Sequence, residues 1–320
     1  FKDWLWAHKQ SGQGNRGGDW FEVDKDQVDR NDVDCVWRTK DVYRKSKVIT
    51  IYQIWSPVAA MALLIKLHLP LRTYQVRMLD SGEADIMRYE NGGWIKNTKH
   101  YFVFKNRNKG IFRQFKDNAR GFESTGFYIN TNKTADQNKD ELGRGYEIPW
   151  ENEVVLYWLE KLRNWQEKYN PIYSPTDCVT LEVKHTKHMK SKASLSNMGF
   201  ICFLMRDVSS SKQQDKHKPI EESRITLLWY KLLESLEYEL LSSGDTLSNG
   251  TPIKLVHDYG KGHKAQKKRT EFPLHSLRVS LITSYILDAK LPLPIVSKLL
   301  AGHSRLLMTL YYTKLTPAIM

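Results

Sequence analysis

Two histidines, an arginine and a tyrosine near the end of the chain have the types and spacing to act on a phosphodiester. His275-Ser276-Leu277-Arg278 sets a histidine three residues before an arginine, Ala301-Gly302-His303-Ser304 follows, and Tyr312 lies nine residues beyond His303. A tyrosine hydroxyl can attack a phosphodiester and hold one DNA end covalently, splitting one hard displacement into two easier ones. With a pKa of about 10 the neutral phenol is a poor nucleophile, so it needs a nearby base and strong stabilisation of charge on the phosphate oxygens. Arginine suits the second task, because its planar fork makes two charge-assisted hydrogen bonds to phosphate and keeps its proton. On a helix His275 and Arg278 share a face and could reach the same phosphate. The apolar run Val279–Leu287 could bury the back of that helix.

The spacing also imposes a condition. On an unbroken helix nine residues turn through about 900°, which would put His303 and Tyr312 on opposite sides. A break is needed between them, and the β-branched and aromatic stretch 308–313 allows one. Tyr311 is the competing nucleophile. Taken singly, each residue has an ordinary reading. His-x-x-Arg arises by chance, a histidine after glycine is commonly a cap, and tyrosines near a chain end are commonly core aromatics. The combination, in this order, points to chemistry.

In that order and spacing the residues resemble the C-terminal half of a tyrosine recombinase active site, and the chain is similar to the phage-integrase family of DNA strand-exchange enzymes. The resemblance selects Tyr312 over Tyr311 and implies that the tyrosine sits on a separate helix. It also implies an arginine well upstream and a lysine on a β-hairpin between them. Residues 58–71 form an apolar, mostly helix-favouring run, followed by Arg72-Thr73-Tyr74-Gln75-Val76-Arg77-Met78-Leu79-Asp80. This is similar to a helix, a turn presenting the first catalytic arginine, and a second helix. Arg72 is the candidate and Arg77 the alternative. Gln75 stands where family members usually carry an acidic residue.

Alternation bounded by Gly, Asn and Asp predicts strands at 100–104, 126–134 and 145–150. Lys133 matches the family's hairpin lysine, with Lys139 second choice. Apolar groups at Val155, Trp158, Leu159, Leu162 and Trp165 predict one amphipathic helix. Those at Ile225, Leu228, Trp229, Leu232, Leu233, Leu236 and Leu240 predict another over 224–241. The fold implied is α+β, mostly helical, a tyrosine recombinase catalytic domain with a small antiparallel sheet. The mechanism implied has Tyr312 forming a 3′-phosphotyrosine link, with Arg72 and Arg278 on the non-bridging oxygens and His275 assisting proton transfer. His303 would donate to the phosphate and Lys133 would protonate the leaving 5′ oxygen. Neither metal, ATP nor another cofactor is needed. Leu69-Pro70-Leu71-Arg72 and Asn130-Thr131-Asn132-Lys133 are also similar to a subgroup of large integrases on bacterial mobile islands.

The 320-residue chain can bury one large core or two modest ones. Its formal charge of +13, from 49 Lys+Arg against 36 Asp+Glu, favours a polyanion partner through counterion release. Charge alone does not distinguish DNA from RNA or an anionic membrane. No apolar run reaches the length of roughly 18 residues that a spanning helix needs. Lys261, Lys264, Lys267, Lys268 and Arg269 lead into the His275 motif and read as a phosphate-contacting loop. A second basic cluster, at 184–192, has no such placement and reads equally well as a solvated loop. The acidic stretch 19–34 lacks the ligand alternation and central glycine of a calcium loop and reads as solvated surface or linker. Zinc is unsupported, because the chain has no Cys-x-x-Cys pair. Cys35, Cys178 and Cys202 are far apart and read as free thiols of a reducing cytoplasm; the resemblance implies a bacterial, nucleoid-associated location.

The expected organisation is an N-terminal extension or domain remnant over 1–45 and the catalytic domain over 46–320, with an insertion at 172–222. The first residue is not Met, and the chain stops eight residues after Tyr312, which reads as a fragment of a longer protein. The expected partner is double-stranded DNA, with tetrameric self-assembly on paired sites in the whole protein. The rival readings are type IB topoisomerase-like relaxation and a DNA-binding relic of the same fold.

Overall fold

A helix that is apolar on every side is stable only inside a protein. Helix α1, Val58–His68, is of this kind: every residue from Val58 to Lys66 is buried. The computed structural model describes residues 19–117, 121–132, 136, 139–140, 143–259, 267–303 and 305–313. Around α1 pack α3 (Glu153–Tyr169), α4 (Glu222–Ser243) and α5 (Leu274–Leu287), while the short α2 (Thr73–Arg77) follows α1 directly. A final helix, α6, spans Leu306–Thr313.

Each long helix shows its sequence logic. In α3 the five apolar positions expected to face inward, Val155, Trp158, Leu159, Leu162 and Trp165, are all buried. The Asn152 side chain caps its first turn by accepting from the Val155 amide at 3.1 Å. Helix α4 buries Ile225, Leu228 and Leu233 and stops at Gly244, whose φ of 79° is the left-handed cap that glycine adopts without strain. Leu236, expected on the inner side, is 44% exposed. Here the apolar stripe is wider than the neighbouring elements can cover.

Strands β1 (Trp20–Val23), β2 (Trp37–Arg44) and β3 (Lys47–Trp55) form an antiparallel sheet in the order β1-β3-β2. The β2–β3 turn is Lys45–Ser46, both at positive φ, the geometry of a two-residue hairpin loop. The expected division at residue 45 falls within that turn, and β1 pairs along β3 with Trp20 opposite Trp55. The acidic stretch is not a free linker. Asp19 is buried and accepts from Arg224 of α4 at 2.8 Å. Asp32 accepts from Lys168 and Tyr169 of α3, both at 2.6 Å, and Asp34 pairs with Lys161 at 2.9 Å. These cations lie more than a hundred residues away in sequence, beyond the reach of local pattern.

Strands β4 (Met87–Glu90) and β5 (Gly93–Lys96) form a small hairpin. Strands β6 (Phe112–Asp117), β7 (Phe122–Ile129) and β8 (Tyr146–Ile148) form the second three-stranded antiparallel sheet, with β7 central. Strand β7 therefore starts earlier and ends sooner than the expected 126–134. Residues 100–104, expected as a strand, are irregular. His100 stacks on Phe102 and bonds Glu167, and the Phe104 amide donates to Ala84, so these residues are held by contacts other than a ladder.

The span 172–222 contributes to the core. Its β9 (Thr176–Asp177) pairs with β10 (Phe200–Ile201), the Cys202 amide donates to Asp80 at 3.1 Å, and buried Arg206 reaches Glu83 at 2.6 Å. The last pair is β11 (His257–Tyr259) with β12 (Lys267–Arg269). Helices and small antiparallel sheets thus give an α+β arrangement. The three cysteines are buried and none is in a disulfide, and among the described residues no helix is long and apolar enough to cross a membrane.

Candidate active site

Between α1 and α2 the chain turns through Leu69–Arg72, and two buried cations grip that turn from behind. Lys66 donates to the Leu71 carbonyl at 3.1 Å, and Arg278 of α5 donates to the Pro70 carbonyl. Burial and the nearby Arg278 charge bring the Lys66 pKa down to about 8. Arg72 then caps α2. Its own amide donates to Oε1 of Gln75 at 2.9 Å, and Nε2 of Gln75 donates to the Thr131 carbonyl at 2.9 Å. Gln75 is fully buried, so this one amide stitches the Arg72 turn to the end of β7. A carboxylate could accept from Arg72 but could not donate to Thr131, which is a physical reason for glutamine here.

The Arg278 fork is buried and makes two further bonds, to the Ala301 carbonyl and to Nε2 of His303, both at 2.8 Å. Nδ1 of His303 lies 2.7 Å from the Thr309 hydroxyl of α6. Burial, then the charges of Arg278, Arg72 and Lys298, push the His303 pKa down to about 3, so the ring is neutral at pH 7. Gly302, His303 and Arg305 are not helical, and α6 is a separate helix, as the nine-residue spacing requires. The turn carrying His303 depends on Gly302. Its φ is +61°, and a Cβ there would come within 2.5 Å of the Tyr146 ring. Asn132 donates to the Gly302 carbonyl at 2.8 Å, so residues flanking both ends of the β7–β8 connection touch this turn.

In front of this cluster lies a cleft of ≈ 910 Å³, lined by Arg72, Tyr74, Arg144, His188, Lys190 and His275 among others. His275, in the first turn of α5, is exposed toward it, whereas Arg278 and His303 are buried and are not among its lining residues. The structure therefore brings Arg278, His303 and the Arg72 turn together and puts His275 on the open side. Arg77, the alternative to Arg72, is a buried staple: it donates to the carbonyls of Ile220 and His185.

Lys133 lies outside the described residues. Its surroundings are partly visible: buried Asp136 accepts from the amides of Asn132 and Gly145, and Lys139 sits 4.0 Å from the same carboxylate. Tyr311 and Tyr312 are in α6, with side chains outside the described residues. Of the basic run before α5, Lys261 and Lys264 lie outside them, as does the Lys267 side chain. Lys268 pairs with Glu234, and Arg269 is exposed at the end of β12. Sequence reading missed Gln75 as a tether, Thr309 as the His303 partner, and Arg144 and Lys190 as cleft residues. Only Lys190 carried a signal, through the basic cluster at 184–192.

No curated protein and no solved structure matches this chain. Residues 1–179 match the model of a family described as "Putative integrase", more than half of the 320 residues. The match covers the Arg72 turn and the β7–β8 hairpin, while His275, Arg278, His303 and Tyr312 lie beyond it. The chain belongs to this phage-integrase-like family, which points to DNA integration or recombination and to DNA as its partner.

Proposed function

We propose that the chain is a tyrosine-type DNA strand transferase, a site-specific recombinase or integrase working through a 3′-phosphotyrosine intermediate. The observation that carries this reading is the Arg278 fork, which bonds both Pro70, two residues before Arg72, and His303. One hydrogen-bonded cluster thereby unites three segments, the first more than two hundred residues from the others, beside a cleft rich in positive charge. Arg72 would hold the non-bridging oxygens from the cleft wall, with Arg278, whose buried fork is bonded to Pro70, Ala301 and His303, fixing the Arg72 turn behind it. His275 would serve the proton of the nucleophile from the open side, and Lys133 would protonate the leaving 5′ oxygen. For His303 the geometry favours a positioning role: its Nε2 accepts from Arg278 and is not a donor for phosphate in this arrangement. Rejoining to a partner strand reverses the steps, so bond energy is conserved without ATP. The charge stabilisation that metals provide elsewhere would come from Arg72 and the lysine.

Helix register supports Tyr312 as nucleophile over Tyr311. Thr309 of α6 meets His303, and position 312 follows it by three residues on the same helix face. Position 311 is turned about 200° from Thr309. The test is covalent trapping on a pool of nicked duplexes, with the attached residue mapped by mass spectrometry. The parent protein should give an adduct at Tyr312. Tyr312→Phe should bind duplex and give none, while Tyr311→Phe should still give one. An adduct mapped to Tyr311 would shift the register, and a parent protein that forms no adduct would sink the proposal.

A further inference from the structure

Arg144 is placed by tight local geometry. It precedes Gly145, whose φ is +82° and where a Cβ would lie 2.2 Å from the Ile129 carbonyl oxygen. Its own carbonyl accepts from the buried Tyr128 hydroxyl at 2.7 Å, and the Gly145 amide donates to Asp136 at 3.2 Å. The backbone is thus held on both sides, while the side chain turns to the cleft that Arg72 also lines. Only 9% of Arg144 is exposed. Its Nη1 donates to the Lys139 carbonyl at 3.3 Å, and its Nε is buried with no hydrogen-bond partner among the described residues.

Lys190 lines the same cleft from the opposite side of the sequence. Its ammonium stands 5.1 Å from the centre of the Tyr74 ring, a cation–π arrangement that fixes the head over the aromatic floor. Burial lowers its pKa, and so does the charge of Arg144, so the two cations feel one another. Arg72 adds a third cation, with Nη1 buried and unbonded among the described residues. Glu222, the acidic residue among the lining groups, bonds Lys187 at 2.6 Å. Like charges held together beside a buried, unsatisfied donor cost free energy unless an anion joins them.

We propose that Arg144 and Lys190, over the Tyr74 ring, form a second phosphate seat that takes a DNA backbone phosphate neighbouring the one at Arg72. The seat rests on the strand-transferase reading. It would set the register of the duplex in the cleft, because phosphate contacts position a strand without reading its bases.

The test is the slope of log affinity against log salt on a generic duplex, for the parent, Arg144→Gln, Lys190→Gln and the double variant. One lost phosphate contact lowers the slope by roughly 0.9. The double variant should show that loss, Arg144→Lys should keep most of the parent slope, and Lys96→Gln, at the exposed end of β5, should match the parent. Thermal midpoints of the same proteins separate lost contact from lost folding, and half-buried Lys190 offers a variant with little packing at stake. A parent protein that binds duplex with salt dependence, and a folded double variant with the same slope, would overturn the seat while leaving the strand-transferase reading intact. A parent protein without salt-dependent duplex binding would overturn both. Inorganic phosphate that binds the parent but not the double variant, with the duplex slopes equal, would overturn the backbone assignment in favour of a free-phosphate site.

Discussion

Arg278 donates from Nη2 to Nε2 of His303 across 2.8 Å, and that single bond determines the tautomer of the imidazole. A guanidinium has no acceptor, so Nε2 must be the unprotonated nitrogen. The proton then sits on Nδ1 and is donated to the Thr309 hydroxyl at 2.7 Å. The order Arg278, His303, Thr309 is a relay of donors from α5 through the Gly302 turn into α6. It couples the helix that bears Tyr312 to the arginine that grips the Pro70 carbonyl.

A neutral His303 gives the protein a defined acid sensitivity. The folded ring takes up a proton only near pH 3, whereas its ordinary value is 6.5. Between those values the unfolded chain holds more protons, so stability falls as pH drops through that window. Buried His185, brought down to about 4, acts in the same direction. The expected result is that His303→Gln loses part of the acid destabilisation seen between pH 6.5 and 4 in urea titrations. Nitrogen NMR of the parent ring should show Nδ1–H and bare Nε2 at pH 6. A doubly protonated ring there would refute the tautomer.

Gly302→Ala should destabilise the fold by about 1–3 kcal/mol, because alanine resists φ of +61° and its methyl meets the Tyr146 ring. In a Tyr146→Leu background the clash is relieved but the backbone penalty stays. The cost of the glycine change, read from denaturant midpoints, should therefore shrink without vanishing. An unchanged cost would mean that the ring contact is not the obstacle.

Gln75→Glu tests the tether beneath Arg72. The carboxylate keeps the bond from the Arg72 amide but faces the Thr131 carbonyl with no donor, at a fully buried site. A loss of about 1–3 kcal/mol at pH 7 is expected, the usual cost of an unsatisfied buried group. Burial raises the pKa of a carboxyl, so the folded variant binds more protons than the unfolded chain, and the loss should shrink as pH falls. A variant as stable as the parent at pH 7, or one that worsens toward acid, would contradict the tether.

Lys133 is testable by chemistry. As the general acid, its loss in Lys133→Ala should slow cleavage of ordinary DNA by about 10²–10⁴-fold. A substrate with sulfur at the bridging 5′ position leaves as a thiolate and needs no proton, so it should restore the variant to near the parent rate. Arg278→Ala, which releases the Pro70 carbonyl and loosens the turn that presents Arg72 to the phosphate, should stay slow on both substrates. Rescue of Lys139→Ala instead would transfer the role to Lys139, and rescue of neither would remove it from the hairpin.

Local chemistry in the chain was enough to place several elements. The apolar run at 58–68, the inward stripe of α3 and the need for a break before α6 follow from side-chain periodicity and helix geometry, which involve only near neighbours. The types and order of His275, Arg278, His303 and Tyr312 suggest phosphodiester chemistry from the sequence alone, and the family resemblance added Arg72 to them. What each side chain does was decided only by residues far away in sequence. Arg278 faces Pro70, His303 and Ala301 instead of sharing an open face with His275, because α5 packs its arginine face against the α1–α2 turn. Gln75 reads as a lost acid until Thr131 is seen across from it, and Asp19 reads as solvated until Arg224 closes over it. Arg144 and Lys190 were ordinary loop cations until the tertiary fold set them beside one cleft. Helix periodicity is written within a few residues, but a hydrogen-bond partner or a shared electrostatic field depends on distances that only the folded chain defines.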